Sequence, residues 1–342
     1  MADRVIIVGT KRGPEQVTAV ELKQMAGRAG RKHDGGEGYV SVIACGLAEC
    51  SRAEDIFEGE ADLHVDSRMD SPHEAAFHIM AEIANGIVET RDDIGGWFHR
   101  SFAAHFGRSL NADEVVRLLK DEWEAIIEED GRLKATALGF VGSQHYFHPS
   151  DVHAWRENFQ EIFSRDIEMR EPAIVWALAN VPSEANRAGI SVWKKQFLLQ
   201  NIEEEMATYG LGMDMGNLQA AALWMRVLGG PSVGAAAAEI DRTKRDYERL
   251  HSVLLALNTI MSWERQDFFR DLRTRAMYGV CADLVPLCRL PGIGKTYALD
   301  LYNRGVRNLD DFEWVVGELE SDCRNTKYLE AVKKVAASYL KA

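Results

Sequence analysis

The feature of this sequence that most constrains its fold is a switch between two hydrophobic patterns along the chain. The first fifty residues read as strand, helix and strand, with runs at Val5–Val8, Val20–Ala26 and Gly38–Ala44. From Ser71 onward, apolar residues recur three and four positions apart, which is the period of a helix. A βαβ fragment of this size cannot bury both faces of its sheet, so we expect it to be the end of a larger α/β domain. We therefore predict a mainly α protein that begins with a partial α/β fragment.

Composition narrows the class of protein. With 342 residues the chain has room for roughly two to four modules, and 46% hydrophobic with 27% charged residues is typical of a globular protein. No apolar run approaches the ~18–20 residues of a membrane span, and the N-terminus lacks a secretory shape. We expect a cytoplasmic, nucleoid or nuclear protein with no membrane partner. The five cysteines form no C-x-x-C pair, which favours reduced thiols. A net charge of −13 argues against indiscriminate coating of nucleic acid.

Near the C-terminus, Pro291–Thr296 has the look of a phosphate-binding P-loop. The Walker A signature G-x-x-x-x-G-K-[ST] needs a glycine five positions before Gly294, where this chain has Arg289. A P-loop also follows a buried strand, whereas Asp283–Leu290 has mixed polarity. The sequence therefore excludes a Walker A loop here.

The most informative string lies near the other end, at Gln24–Arg31. Its two arginines, Arg28 and Arg31, are separated by small residues, so adjacent guanidinium groups could donate paired hydrogen bonds to a polyphosphate. A solvated basic turn is the alternative. The whole string resembles motif VI of superfamily 2 helicases, in the form of the Ski-like group.

Further segments carry the same resemblance. Arg4–Ile7 is similar to the strand after motif V, Thr10–Arg12 to the start of the strand-separating hairpin, and Gly35–Tyr39 to the turn after motif VI. Within the group, the archaeal fork-repair DNA helicases and their animal homologue HelQ are the most similar family. The likeness runs along essentially the whole chain and is strongest at its two ends.

This resemblance implies an ATP site. In the family, the residues at Gln24, Gly27, Arg28 and Arg31 contact the nucleotide, and the two arginines act on the transferring γ-phosphate. The sequence contains no Walker A loop and no D-E-x-H box. We therefore expect ATP and Mg²⁺ to bind only in combination with a motor half, and we expect the isolated chain to bind neither and to be inactive.

The resemblance also implies four modules. These are the end of the second RecA-like domain (1–60), a winged helix (61–148), a helical ratchet bundle (149–276) and a helix-hairpin-helix (277–342). For the winged helix we predict a helix capped by Ser71, further helices around 90–106 and 111–129, and a β-wing at Gly131–Gly139. The histidines at 145, 148 and 153 lack the partners of a zinc site, and we expect no metal.

The expected DNA contacts lie in the last two modules. In the ratchet, Lys244–Leu257 matches a family helix that offers an arginine at Arg249, but Ala256 stands where the family has a base-stacking tryptophan. Tyr247 or Trp263 could replace this tryptophan. The alternative is that both are core aromatics. Leu290–Gly294 resembles the turn of a helix-hairpin-helix. The residues that we expect to hold a phosphate there are Gly292, Gly294, Lys295 and Thr296. A hairpin that serves only packing is the alternative.

These expectations combine into one interpretation. The chain resembles the C-terminal half of a Ski-like superfamily 2 DNA helicase, which implies 3′–5′ unwinding in repair or replication. Its partners would be single-stranded or forked DNA and an N-terminal motor half, in the same protein or a separate chain. The alternative is a stand-alone DNA-binding or regulatory module without ATPase activity.

Overall fold

The structure is a computed structural model, and it describes residues 3–12, 15–30, 37–58, 67, 69, 71–185, 195–230 and 237–339. The described chain is mainly helical, which confirms the predicted class. It divides into two compact units, 1–68 and 69–342, which are taken separately below.

The first unit contains a two-stranded parallel sheet with helices beside it. The strands β1 and β4 pair in register from Arg4 opposite Tyr39 to Val8 opposite Ile43. Parallel strands need a crossover, and a helix supplies it. The elements are β1 (Arg4–Val8), the hairpin β2 (Lys11–Arg12) and β3 (Glu15–Gln16), α1 (Ala19–Ala26), β4 (Tyr39–Ile43) and α2 (Leu47–Phe57).

One face of this sheet is covered and the other is open. Ile7 packs with Val17, Leu22 and Ile56 in a small buried core. Along the same strand, Ile6 and Val8 are 57% and 74% exposed, because successive strand residues point to opposite faces. An apolar sheet face left in water agrees with the argument that so small a fragment cannot bury both faces.

The second unit opens with helices and a β-hairpin around one core. Ser71 caps the first helix by accepting a hydrogen bond from the backbone N–H of Glu74. The elements are α3 (Pro72–Ala84), α4 (Arg91–His99), α5 (Phe102–His105), α6 (Ala112–Arg117), which continues as a π-helical turn to Glu122, β5 (Ile126–Glu129) and β6 (Arg132–Ala135). Their buried residues run from Ala75 to Leu133.

Three predicted boundaries in this region are wrong. The β-wing expected at Gly131–Gly139 is a hairpin over Ile126–Ala135, and Ala137–Gly139 begin the next helix. The helix expected over 111–129 ends at Glu122, and its last residues form β5. Asp130 and Gly131 both have positive φ, 49° and 74°, which is the backbone of a tight two-residue hairpin turn. The helix expected over 90–106 is interrupted before Ser101, which caps α5.

A helical bundle follows, with the largest core of the molecule. It includes Trp155, Trp176, Trp224 and Phe269, all nearly or fully buried. The helix α7 joins this core to the preceding hairpin, because Gly139 lies so close to Ala125 that an added Cβ would come within 2.0 Å of the Ala125 carbonyl oxygen. The helices are α7 (Ala137–His145), α8 (Pro149–Ser164), α9 (Glu171–Ala179), α10 (Lys195–Thr208), α11 (Leu218–Val227), α12 (Ala237–Ile260) and α13 (Gln266–Tyr278).

The C-terminal helices enclose a separate core. Ile293, Leu301, Val315 and Val332 are among its buried members. The helices are α14 (Val285–Cys288), α15 (Lys295–Asn303), α16 (Phe312–Asp322) and α17 (Thr326–Tyr339). Among the described residues, none of the helices has the length and apolarity that a membrane crossing requires.

Candidate nucleotide and nucleic-acid sites

The expected nucleotide residues lie at the C-terminal end of α1. Gln24 is in the last turn of this helix and Gly27 caps it, donating its N–H to the Lys23 carbonyl at 2.9 Å. Arg28 continues the turn through a bond from its N–H to the Met25 carbonyl at 3.1 Å. The side chains of Gln24 and Arg28 are exposed. Arg31 lies outside the described residues, so the pair of arginines is seen only in part.

Gly30 and Gly38, on either side of the segment that contains Arg31, lie in close backbone contact. Gly30 has φ +68°. An added Cβ on Gly38 would lie 2.4 Å from the Gly30 nitrogen, closer than any side chain tolerates. The backbone therefore crosses itself at a point where only glycine fits.

A partly exposed carboxylate, which sequence reasoning missed, organises the ends of β1 and β4. Glu49 accepts hydrogen bonds from the N–H and the hydroxyl of Thr10, at 3.0 and 3.1 Å, and from the N–H of Cys45 at 2.6 Å. The hydrogen bond from the Cys45 N–H has the largest effect and, with those from Thr10, lowers the pKa of Glu49. Beside this end of β1, Arg28 and Lys11 line a depression of about 430 Å³, so two cations face one surface.

Arg249 lies on α12 with its charge partly engaged. Its guanidinium contacts the Asp246 carboxylate at 2.9 Å and lies 4.9 Å from the ring centroid of Phe147. The side chain is nonetheless 46% exposed. An exposed ion pair of this kind is weak, so the arginine can exchange Asp246 for a phosphate.

Of the two aromatics considered as base-stacking substitutes, Tyr247 is a core residue and Trp263 lies partly exposed at the edge of the core. Tyr247 is fully buried, and this burial raises the pKa of its hydroxyl. Trp263 packs against the bundle core and donates its indole N–H to Gln160 at 2.7 Å. Tyr247 therefore has no free face of the kind that base stacking needs, whereas Trp263 remains partly exposed.

The Leu290–Gly294 turn joins α14 to α15. Gly292 has φ +80°, Ile293 is buried, and Gly294 is the N-cap of α15. The preceding segment is helical rather than a strand, in keeping with the exclusion of a P-loop. The first N–H groups of a helix have no intrahelical acceptor, and Thr296 is exposed beside them. This end can therefore accept an anion.

Lys295, the first residue of α15, has a partner that its sequence position did not reveal. Its Nζ donates to the carbonyl oxygen of Gly279, the cap of α13, at 2.6 Å. Lys244 donates to the neighbouring Met277 carbonyl at 3.4 Å. Partial burial, followed by the charges of Arg226 and Lys244, lowers the pKa of Lys295.

The histidine-rich stretch before α8 has a structural arrangement. His148 is the N-cap of α8, with Nδ1 3.2 Å from the Ser150 nitrogen, and its ring stacks on His73 with centroids 4.3 Å apart. Within the described ranges, no three His, Cys, Asp or Glu side chains are grouped as metal ligands.

Comparisons with known proteins identify relatives along most of the chain. No protein-family model matches. The chain is 24% identical over 327 residues to the ATP-dependent DNA helicase Hel308 of Caldivirga maquilingensis, covering 86% of this chain and 43% of the relative. The helicase of the same name from Methanocella arvoryzae is 23% identical over 334 residues, with 90% and 45% covered. That of Thermoplasma volcanium is 22% identical over 304 residues, with 87% and 44% covered.

The chain therefore spans less than half the length of the curated relatives it matches. The predicted resemblance to the archaeal group of Ski-like superfamily 2 helicases is confirmed.

Proposed function

We propose that this chain is the C-terminal portion of an ATP-dependent superfamily 2 DNA helicase. It would supply motif VI and single-strand-gripping modules to a motor half, and the assembled enzyme would unwind forked DNA in the 3′–5′ direction during repair or replication. Such an enzyme would act on DNA in the cytoplasm, the nucleoid or the nucleus. The observation that carries the proposal is the match along 86–90% of the chain to proteins named as DNA helicases.

Four separate apolar cores support a modular assignment. They occupy 7–56, 75–133, 138–276 and 280–336. We assign them to the end of a RecA-like domain, a winged helix, a ratchet bundle and a helix-hairpin-helix, with boundaries at 1–60, 61–148, 149–276 and 277–342. The open apolar face of the β1–β4 sheet supports the first assignment, because the parallel sheet of a RecA-like domain has both faces covered by helices.

ATP with Mg²⁺ is the cofactor that we propose for the assembled enzyme. Arg28 suits this role because its guanidinium is exposed and forms no ion pair within the described part of the chain. Together with Arg31 it would stabilise negative charge on the transferring phosphoryl group, and Gln24 and Gly27 would line the same wall. Bound ATP would supply the phosphoryl group, and the motor half would supply the remaining wall of the site.

The experiment combines this chain with a separately produced N-terminal half of the helicase. We expect the mixture to hydrolyse ATP and unwind a labelled fork. Arg28→Ala and Arg31→Ala should each lower the turnover rate by ~10²–10³-fold, because each removes a charged donor to the transition state. Single-strand affinity should change little.

Arg108→Ala is the matched control, since Arg108 is exposed and lies in the other unit. Equal loss of affinity and turnover in the motif VI variants would mean that these arginines hold DNA instead. A mixture that binds DNA but never gains ATPase activity would favour the stand-alone DNA-binding or regulatory module.

A further inference from the structure

A cleft that no predicted site includes lies between α12, α13 and the start of the Leu290–Gly294 turn. It has a volume of about 750 Å³, which is in the range of pockets that hold a nucleotide-sized ligand. We call it the arginine cleft. Eight residues line it, three of them arginines and one a carboxylate: His251, Asp267, Arg270, Arg273, Thr274, Met277, Tyr278 and Arg289.

The charge of the arginine cleft is unusual for this acidic chain. Three guanidinium groups face it, whereas the chain as a whole has a net charge of −13. Arg270 contacts Asp267 at 3.2 Å, and Arg289 contacts Asp271. Arg273 is exposed, and it forms no ion pair with any residue that the structure describes. The cleft therefore presents one uncompensated cation flanked by two compensated ones.

A nearly buried histidine, His251, also lines the arginine cleft. His251 is 8% exposed, and its Nδ1 makes no hydrogen bond within the described residues. Burial, followed by the charge of Arg273, lowers the pKa of this imidazole to about 4. A neutral imidazole adds no positive charge, so the cations of the cleft are its three guanidinium groups.

The arginine cleft adjoins the turn before α15. A Cβ placed on Gly294 would lie 3.9 Å from Cε1 of Tyr278, so this ring borders both surfaces. Arg289 is adjacent in sequence to the first residue of that turn. Tyr278 and Met277 are each 40% exposed, which leaves flat apolar surface beside the cations. Cations next to an exposed aromatic ring are the combination that holds single-stranded nucleic acid.

We propose that the arginine cleft binds a phosphodiester group of the same DNA strand that the Leu290–Gly294 turn contacts. Arg273 and Arg289 contact the phosphate, and the ring of Tyr278 stacks on the adjacent base. This inference rests on the proposed function. It adds a strand path along α13 that depends neither on the missing tryptophan of α12 nor on Arg249.

The test measures fluorescence anisotropy of a labelled single strand, and of an abasic strand of equal length, across a salt series. Arg273→Gln should reduce the slope of log affinity against log salt by about 0.7 on both strands, the share of one phosphate contact. Tyr278→Ala should weaken binding about fivefold or more on the base-bearing strand only, and Tyr278→Phe should bind as the wild type does. Arg324→Gln, an exposed arginine between α16 and α17, is the control and should change nothing.

Circular dichroism shows whether each variant is folded, and Arg273 is chosen because its removal breaks no described ion pair. An unchanged slope for folded Arg273→Gln, in a chain whose wild type binds the strand, overturns the cleft and leaves the proposed function standing. A wild type that binds no single strand overturns both. If inorganic phosphate, or an acidic peptide, competes as well as the abasic strand at equal charge concentration, the cleft is a site for that ligand and the proposal is wrong.

Discussion

Two cations predicted to hold DNA differ in how firmly the protein itself holds them. Arg249 contacts Asp246 at an exposed position, and such pairs contribute about 0–1 kcal/mol, so a phosphate can displace the carboxylate. Lys295 donates at 2.6 Å to a carbonyl at the C-terminal end of α13, where the helix dipole favours a cation. Lys295 therefore stabilises the junction between α13 and α15, whatever it does for DNA.

The prediction at the residue scale is that Lys295→Met lowers the free energy of unfolding by about 1 kcal/mol, because the Gly279 carbonyl loses its donor. If Lys295 also contacts a phosphate, the salt slope for single-strand binding falls by about 0.7. Urea denaturation and anisotropy measure the two effects separately. Lys327→Met, at an exposed position of α17, is the control. A loss of stability with an unchanged salt slope would remove Lys295 from the DNA site.

At the scale of elements, the start of α8 links two cores through one histidine. Nδ1 of His148 accepts from the Ser150 N–H at 3.2 Å and lies 2.6 Å from its hydroxyl. The ring proton is then on Nε2, which donates to the carbonyl of His73 in α3 at 3.1 Å. Since both ring nitrogens are used, a protonated His148 would lose its role as the cap of α8.

The prediction at this scale concerns pH. Burial lowers the pKa of His148 to about 4, below the ordinary value of 6.5 that it regains on unfolding. Between these values the unfolded chain binds a proton that the folded chain does not, so stability falls as pH drops from about 6.5 to 4. His148→Asn keeps a capping side chain but cannot titrate, and it should show a shallower decline in thermal melts.

Other groups in this range do not confuse the comparison. Burial raises the pKa of Asp151 to about 6, which has the opposite effect on stability, and lowers the pKa of His251 to about 4, which has the same effect. Both residues are present in both proteins. A decline in His148→Asn as steep as that of the wild type would show that His148 does not govern the acid sensitivity.

At the scale of the whole molecule, the proposed nucleotide site has one wall in this chain, and the sheet of the same unit has an open apolar face. The sequence contains neither a Walker A loop nor a D-E-x-H box, and Ile6, Val8 and Ile43 remain more than half exposed on the sheet. One wall of a cleft positions no nucleotide, because catalysis of phosphoryl transfer is almost entirely a matter of positioning and charge.

The prediction at this scale is that the isolated chain neither hydrolyses ATP nor binds it with useful affinity. Phosphate release and equilibrium dialysis with labelled ATP measure this, with and without single-stranded DNA. Turnover by the isolated chain that survives Arg31→Ala would contradict both the prediction and the assignment of motif VI.

The sequence by itself determined what depends on neighbours along the chain. The helical period, the cap at Ser71 and the failed Walker A spacing at Arg289 are set within a few residues, and each agrees with the structure. The motif VI string and the resemblance that it carried were likewise readable, although Arg31 lies outside the described residues.

Only the tertiary structure decided what depends on distant residues. The strand β5 forms because β6 pairs with it, although its residues fit a helix. The partner of Lys295, the burial of Tyr247 and the arginine cleft all arise from packing between helices that are far apart in sequence. A side chain's free energy depends on what it contacts, and those contacts come from residues too far apart in sequence for any local pattern to record them.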